Sequence, residues 1–327
     1  MYDNVDFKLK ITDFSGIDFL EDVPKHLYGV RERTYEGEFV IIGTLKNDLC
    51  NNNYRVTVNR NGVNIRDGSL CKYYLGDNFQ TLGRGDTQRA MEKMSDTLHL
   101  PIDKAVVSRI DVAQNFIVRH SVENYYNHLG EWHNGNKKST RAPITNNMGI
   151  IEGMYYYQRL GLLVFYDKIK EQKAKRQPIP ELYQGRHVLR YEQRHKKRLP
   201  EIFNVEKVTV SMLYNEKFYI DLLNRWKENY FAIKKINDIT LNFETMRTKT
   251  DLYNLGVLAL VQMAGGELNF ISQMQEAKRT GVLTKKQAFD LKQAVTAACK
   301  EKTGITDKND CILELDKKVK EAVKFYR

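Results

Sequence analysis

The stretch LLVFYDKIKE (162–171) runs four apolar residues, Leu162 to Phe165, into Tyr166, Asp167 and Lys168. In a strand, residues i and i+2 share a face, so the Tyr166 phenol and the Lys168 ammonium project together. A strand leaving the core explains this arrangement. So does a phenol set beside a cation that favours its ionised form. A phenol is a poor nucleophile at its free pKa of about 10. Once activated it can attack a phosphodiester, and the phosphotyrosine link keeps the bond energy for rejoining without ATP. Such a reaction needs a metal ion and cations to offset charge on the phosphate. The candidate metal ligands are Asp111 in SRIDVAQNF, Glu192 in LRYEQR and Glu171 just past the Tyr166 strand. Arg109 shares a strand face with Asp111, and Arg190 and Arg194 share one with Glu192. Exposed cross-strand ion pairs account for each motif singly, and on spacing alone that is the commoner meaning. It leaves three such strands and a basic loop idle.

Other residue types narrow the choice of metal. Cys50, Cys71, Cys299 and Cys311 form no C-x-x-C pair and are expected as free thiols. The seven histidines show no metal-binding spacing. Carboxylates would therefore hold the ion, which favours Mg²⁺ or Mn²⁺. The net charge of +11 points to a polyanionic partner, and the basic excess is densest between Lys168 and Arg198. Lys137, Lys138 and Arg141 in GNKKSTR, with Arg190, Arg194, Lys196, Lys197 and Arg198, are the candidate phosphate contacts. Contacts of this kind position DNA without reading its sequence. A solvated charged face is the ordinary fate of such runs.

Length and patterning say what must hold these residues. With 327 residues, 42% of them hydrophobic, the chain can build two domains. No run of 18 apolar residues is present, so no membrane span is expected, and the charged start MYDNVDFKLKITDF fits a cytoplasmic protein. Strands are expected at EFVIIGTL, through the RNG turn of YRVTVNRNGVNIRDG, at AVVSRIDVAQNFIV and at RHVLRYEQRHKK. GMYYYQRLGLLVFYDK is expected as a hairpin turning at QRLG. Helices are expected at TQRAMEKMSDTLHL, which stops before Pro101, and at SVENYYNHLGEW. GNKKSTRAPITNN and RQPIPELYQG are expected as loops. After about residue 205 the pattern turns helical, and LTKKQAFDLKQAV, capped by Thr284, is a candidate recognition helix. Of the nineteen tyrosines most must be structural; Tyr155 to Tyr157 could pack or stack on single strands.

The ordered segments YYLGDNFQTLGRGD (73–86), VVSRIDVAQNF (106–116), GNKKSTR (135–141), LLVFYDKIKE and VLRYEQRHKKRL (188–199) resemble the replication-initiator nickases of filamentous phages and related plasmids. The resemblance covers about the first 205 residues. It implies rolling-circle replication: an origin-specific endonuclease that joins a DNA 5′ end through tyrosine and later rejoins the strand. It implies an α+β fold, with an antiparallel-sheet nickase domain (HUH-like, carboxylate-metal variant) over 1–235. A small all-helical domain over 236–327 would bind DNA or oligomerise, the boundary falling within 232–245. The family's nucleophile falls on Tyr166, and Lys168 and Glu171 match family positions. Asp111 and Glu192 match the carboxylates of its RID and R-aromatic-E motifs. Single- and double-stranded origin DNA is the implied partner, with a host helicase and a second copy of the chain as further candidates, in a bacterial cytoplasm. Two departures stand out. Asp77 occupies a position where the family often has His. The phage pattern has Phe at Tyr191, which argues against that residue as nucleophile; a phenol adjacent to a metal-binding Glu keeps Tyr191 as second candidate. A conjugative relaxase would share the chemistry, and a non-catalytic origin-binding protein would share only the basic surface.

Overall fold

The computed structural model describes residues 1–10, 12, 18–35, 37–45, 54–134, 137–138, 140–145, 151–159, 161–196, 198–236, 238–239, 246–264, 266–300, 306–307 and 309–327. Its centre is an antiparallel sheet of ten strands. In chain order these are β1 (Tyr2–Lys10), β2 (Tyr28–Tyr35), β3 (Glu38–Leu45), β4 (Tyr54–Asn59), β5 (Gly62–Arg66) and β6 (Val106–Val118), then β9 (Thr140–Thr145), β10 (Ile151–Gln158), β11 (Gly161–Asp167) and β12 (His187–His195). The spatial order is β2-β3-β4-β5-β1-β6-β12-β11-β10-β9. Two short strands, β7 (Leu129–Asn134) and β8 (Lys137–Lys138), join β13 (Ile233–Lys235) in a separate three-stranded sheet.

The expected strands and the 151–167 hairpin form where patterning put them. Three elements differ. β1 lies near the middle of the sheet; its alternating Val5, Phe7 and Leu9 bury one face while charges take the other. The basic segment expected as a loop supplies β9, whose Pro143 is tolerated because β9 is an edge strand. The helix at Ser121 is short: α4 (Val122–Asn127) stops and β7 takes over, because Trp132 pairs across to Ile233.

A long amphipathic helix covers the face of the sheet that carries Tyr191. The chain first forms α1 (Phe19–Asp22), α2 (Leu70–Leu75), α3 (Arg84–Leu98), α5 (Lys168–Ala174), α6 (Leu199–Phe203) and α7 (Val210–Leu213). α8 (Glu216–Phe231) starts where Asn215 Oδ1 accepts from Phe218 N at 3.2 Å. It buries Phe218, Tyr219, Leu222, Leu223, Trp226 and Tyr230 along one stripe. Against that stripe Phe165 stacks on Tyr191 (4.5 Å, 4°) and Tyr191 on Trp226 (4.6 Å, 29°). Burial of each such ring stabilises the fold by about 1.5–3 kcal/mol.

The remaining helices are α9 (Lys249–Met263), α10 (Glu267–Arg279), α11 (Lys285–Lys300) and α12 (Asp310–Tyr326). α9 to α11 pack on one another, and Thr284 caps α11 by accepting from Gln287 N. α12 does not join them. Its Ile312, Leu315, Val319 and Val323 belong to the main core, and Asp316 accepts from the Tyr230 hydroxyl at 2.8 Å. Thus the last helix sits with the sheet and not in the helical unit expected over 236–327. Residues β14 (Asp238–Ile239) and β15 (Thr306–Asp307) pair antiparallel where the chain leaves for α9–α11 and returns. Among the described residues no helix is long and apolar enough to cross a membrane. Cys71, Cys299 and Cys311 are free thiols.

Candidate active site

Register sets the site. Directly opposed residues of neighbouring strands share a face, and β12 lies between β6 and β11. Three rows result on the sheet face opposite the Tyr191–Trp226 stack. The first is Gly153, Tyr166, Arg190 and Asn115; the second is Tyr155, Val164, Glu192 and Ala113; the third is Tyr157, Leu162, Arg194 and Asp111. Tyr166, Glu192 and Asp111 therefore stand on one face in successive rows. Tyr191 and Phe165 point the other way.

The carboxylates are buried and each meets an arginine. Arg109 Nε donates to Asp111 Oδ1 at 3.0 Å while its Nη2 reaches Oδ2, and Asn4 Nδ2 donates to Oδ2 at 3.0 Å. Arg194 Nη2 donates to Glu192 Oε2 at 3.0 Å. Burial and the Glu192 charge still push the Asp111 carboxyl up to about 6, outweighing Arg109. A strained pair of this kind is stabilised by a cation. Asp111 and Glu192 supply two hard oxygen donors, and a Mg²⁺-type ion commonly takes one or two carboxylates with water and phosphate oxygens completing its shell. The pair fits such an ion.

Glu171 is not a third member. Among the described residues no three His, Cys, Asp or Glu side chains gather closely enough to hold a metal. Glu171 lies in the first turn of α5, facing Lys168 Nζ at 2.8 Å and also bound by Lys175 and Gln172. Burial would raise its carboxyl, but these partners hold it down to about 2. The strand ends at Asp167, whose Oδ1 accepts from Ile169 N (2.9 Å) and Lys170 N (3.0 Å) and starts α5. Lys168 is thus a helical residue, buried against Glu171 and 5.5 Å from the Phe79 ring centre. Burial and the Arg190 charge lower its ammonium to about 8.

The cation nearest in role to the phenol is Arg190. Burial holds the Tyr166 phenol above its usual range; Arg190 opposes that, while Glu192, Glu171 and Asp3 add to it. Arg190 was expected on the DNA surface, yet it is fully buried. Its Nη2 pairs with Asp3, and its Nη1 donates to Asn78 O (3.1 Å) and Asn115 Oδ1 (3.2 Å). Ser69 Oγ donates to Asp3 Oδ1 at 2.7 Å. Patterning missed Asp3, Asn4, Asn78 and Asn115. The alternation of β1 sets Asn4 on the face opposite Val5, Phe7 and Leu9, whereas Asp3 lies in a register shift between Tyr2 and Val5 that patterning does not show.

The departure at Asp77 has a structural meaning. Gly76 closes α2 in the left-handed region (φ 89°), and Asp77 Oδ1 accepts from Phe79 N at 2.8 Å. This turn delivers the Asn78 and Phe79 carbonyls to Asn115 Nδ2 (2.9 and 2.8 Å) and so covers the Arg190 end of the rows.

The two tyrosines differ sharply. Tyr191 is fully buried and donates to Trp226 O at 3.0 Å, so the structure does not bring the second candidate to the carboxylates. Tyr166 is half-buried and makes no hydrogen bond among the described residues. Of the remaining expected phosphate contacts, Arg194 is partly exposed, Lys196 and Arg198 are exposed, and Arg198 pairs with Glu201 at 3.2 Å. The side chains of Lys137, Lys138 and Arg141, and residue Lys197, lie outside the described residues.

Residues 30–246 match the phage CRI family model, the N-terminal region of a phage replication-associated protein. The chain belongs to this family. The match covers every strand of the site except β1, and the resemblance to filamentous-phage replication initiators read from the motifs is shown by it. No curated protein matches the chain.

Proposed function

We propose that this family member initiates rolling-circle replication by cutting one DNA strand at an origin, with Tyr166 as nucleophile. The observation that carries the reading is one phenol, half-buried and without a hydrogen bond, on the same face as the Asp111–Glu192 pair. The Tyr166 oxygen would attack phosphorus as the bond from phosphorus to the 3′ oxygen breaks. The 3′ hydroxyl leaves with a proton, and the 5′ phosphate stays on tyrosine. Reversal by a 3′ hydroxyl rejoins DNA. A divalent ion held by Asp111 and Glu192 would supply charge neutralisation at the phosphate. Arg190 stabilises the developing phenolate from the neighbouring strand, and the Asp77 turn holds Arg190 through Asn78. The partly exposed Arg194 and exposed Lys196 supply phosphate contacts, and α9–α11 is a candidate duplex-binding unit.

The test is a denaturation-resistant adduct. The chain is incubated with Mn²⁺ and single-stranded oligonucleotides tiling the replicon that encodes it. Wild type should give an adduct, and Tyr166→Phe should give none while binding DNA. Adduct formation by Tyr166→Phe would refute the assignment. An origin-binding protein without catalysis would bind and give no adduct in either form.

A further inference from the structure

The odd and even residues of β10 part company. Met154 and Tyr156 point into the core, where Tyr156 donates to Leu129 O at 3.1 Å. Tyr155 and Tyr157 point to the site face, with ring centroids 5.4 Å apart at 35°. Tyr155 is half-buried and Tyr157 is 46% exposed. Neither makes a hydrogen bond among the described residues.

Register places these rings in the rows of the site. Tyr155 lies in the Glu192 row and Tyr157 in the Asp111 row, each two strands from its charged partner on β12. Neighbouring strands are about 4.8 Å apart, so the Tyr155 backbone lies roughly 10 Å from that of Glu192 and the Tyr157 backbone roughly 14 Å from that of Asp111. Beside Tyr166 itself β10 carries Gly153. A Cβ there would meet Phe165 O at 2.6 Å, Ile144 Cδ1 at 2.7 Å and Tyr166 Cβ at 3.0 Å, so the β10 flank of the nucleophile is kept low. The partly exposed Arg194, paired with Glu192, lies in the same row as Tyr157, and Arg159, exposed and paired with Glu201, stands at the adjoining turn.

We propose that Tyr155 and Tyr157 form a stacking platform for unpaired bases of the strand that Tyr166 cuts. Base faces stack on aromatic rings whatever the sequence, and only unpaired, splayed bases offer those faces to a sheet. Arginine beside the rings suits the phosphates between them, and charge complementarity thus favours a nucleic acid over an apolar peptide. The platform holds the strand on the open side of the nucleophile while the Asp77 turn closes the other. This rests on the reading of Tyr166 as nucleophile, and the rings act by positioning.

The test uses Tyr155→Leu/Tyr157→Leu and Tyr155→Phe/Tyr157→Phe in the full chain. Affinity for a labelled dT20 strand and for a labelled duplex is read by anisotropy, folding by thermal unfolding, and chemistry by the adduct assay. The leucine pair should bind dT20 roughly tenfold or more weakly, keep its duplex affinity and form adduct more slowly. The phenylalanine pair should match wild type in all three, which also excludes either ring as nucleophile. Should the leucine pair misfold, Tyr157→Leu alone, at the more exposed ring, makes the same comparison. A folded leucine variant with unchanged dT20 affinity overturns the platform, as does equal weakening for duplex. If wild type gives no adduct while the leucine pair still loses dT20 affinity, the nicking reading fails and the platform stands.

Discussion

Replacing Arg190 with methionine should cost the fold about 3–5 kcal/mol, because it strands the buried Asp3 carboxylate. Asp3 would keep Ser69 Oγ at 2.7 Å and the weaker Asn78 contact at 3.5 Å. A hydrogen bond to a charged group is worth about 1.5–3 kcal/mol, so the loss should fall toward the lower end of that range. The double variant Asp3→Leu/Arg190→Met removes both charges and should recover most of the loss. A coupling energy of about 2–4 kcal/mol between the two sites follows. Urea unfolding measures it, with shifts in midpoint at constant slope. The sign with pH is fixed as well. Burial raises the Asp3 carboxyl, but Arg190 prevails and holds it below 3.8. Its contribution is therefore present above about pH 4 and disappears as acid titrates the folded carboxylate. If Arg190→Met stays within 1 kcal/mol of wild type, or the double variant merely sums the singles, the pair is not what holds β1 to β12. Adduct formation separates structure from chemistry. The double variant should fold and still react slowly, because Tyr166 has lost the Arg190 cation that opposes its burial.

Three further outcomes follow from the same contacts. Tyr191→Phe should lose about 1 kcal/mol with its bond to Trp226 O and keep full adduct formation; loss of adduct in a folded variant would return Tyr191 to candidacy. Burial, helped by Arg225, lowers the His195 imidazole to about 4 from 6.5. The unfolded chain therefore binds the extra proton between those values, and stability should fall by up to about 3 kcal/mol as pH drops from 6.5 to 4; urea melts of His195→Phe, which cannot titrate, should lack that fall. Replacing residues 240–305 with a short Gly/Ser linker should leave a cooperatively folded body, since Ile239 and Thr306 already pair; an unfolded product would show that α9–α11 support the sheet.

Periodicity made the strands and the aromatic core legible. The alternation in VLRYEQR separates Tyr191 from Glu192 whatever the partners, and the structure places them on opposite faces. Burial of charge was not legible. Arg190 reads as one more basic residue in a basic run, and only the register of β1, 187 residues away, shows that Asp3 neutralises it. Lys168 failed differently. The i, i+2 rule holds only while the strand lasts, and Asp167, an N-cap residue by type, ends it one position too early. For α12 an amphipathic pattern could equally face α9–α11 or the sheet, and sequence separation alone favoured the wrong neighbour.

Charge pairing on the site face limits what can enter it. Asp3, Asp111 and Glu192 face Arg190, Arg109 and Arg194, three of each sign in a largely buried cluster. A phosphate brought into that balance would find its arginines occupied. An ion on Asp111 and Glu192 would release Arg109 and Arg194 toward the phosphate, whereas Arg190, locked to Asp3 and to the Asp77 turn, would stay beside Tyr166. The two partly exposed arginines are thus suited to exchange partners and the buried one is not. On the proposed reading, this division of roles would put phosphate binding at the Arg109 and Arg194 end of the rows and activation of the phenol at the Arg190 end.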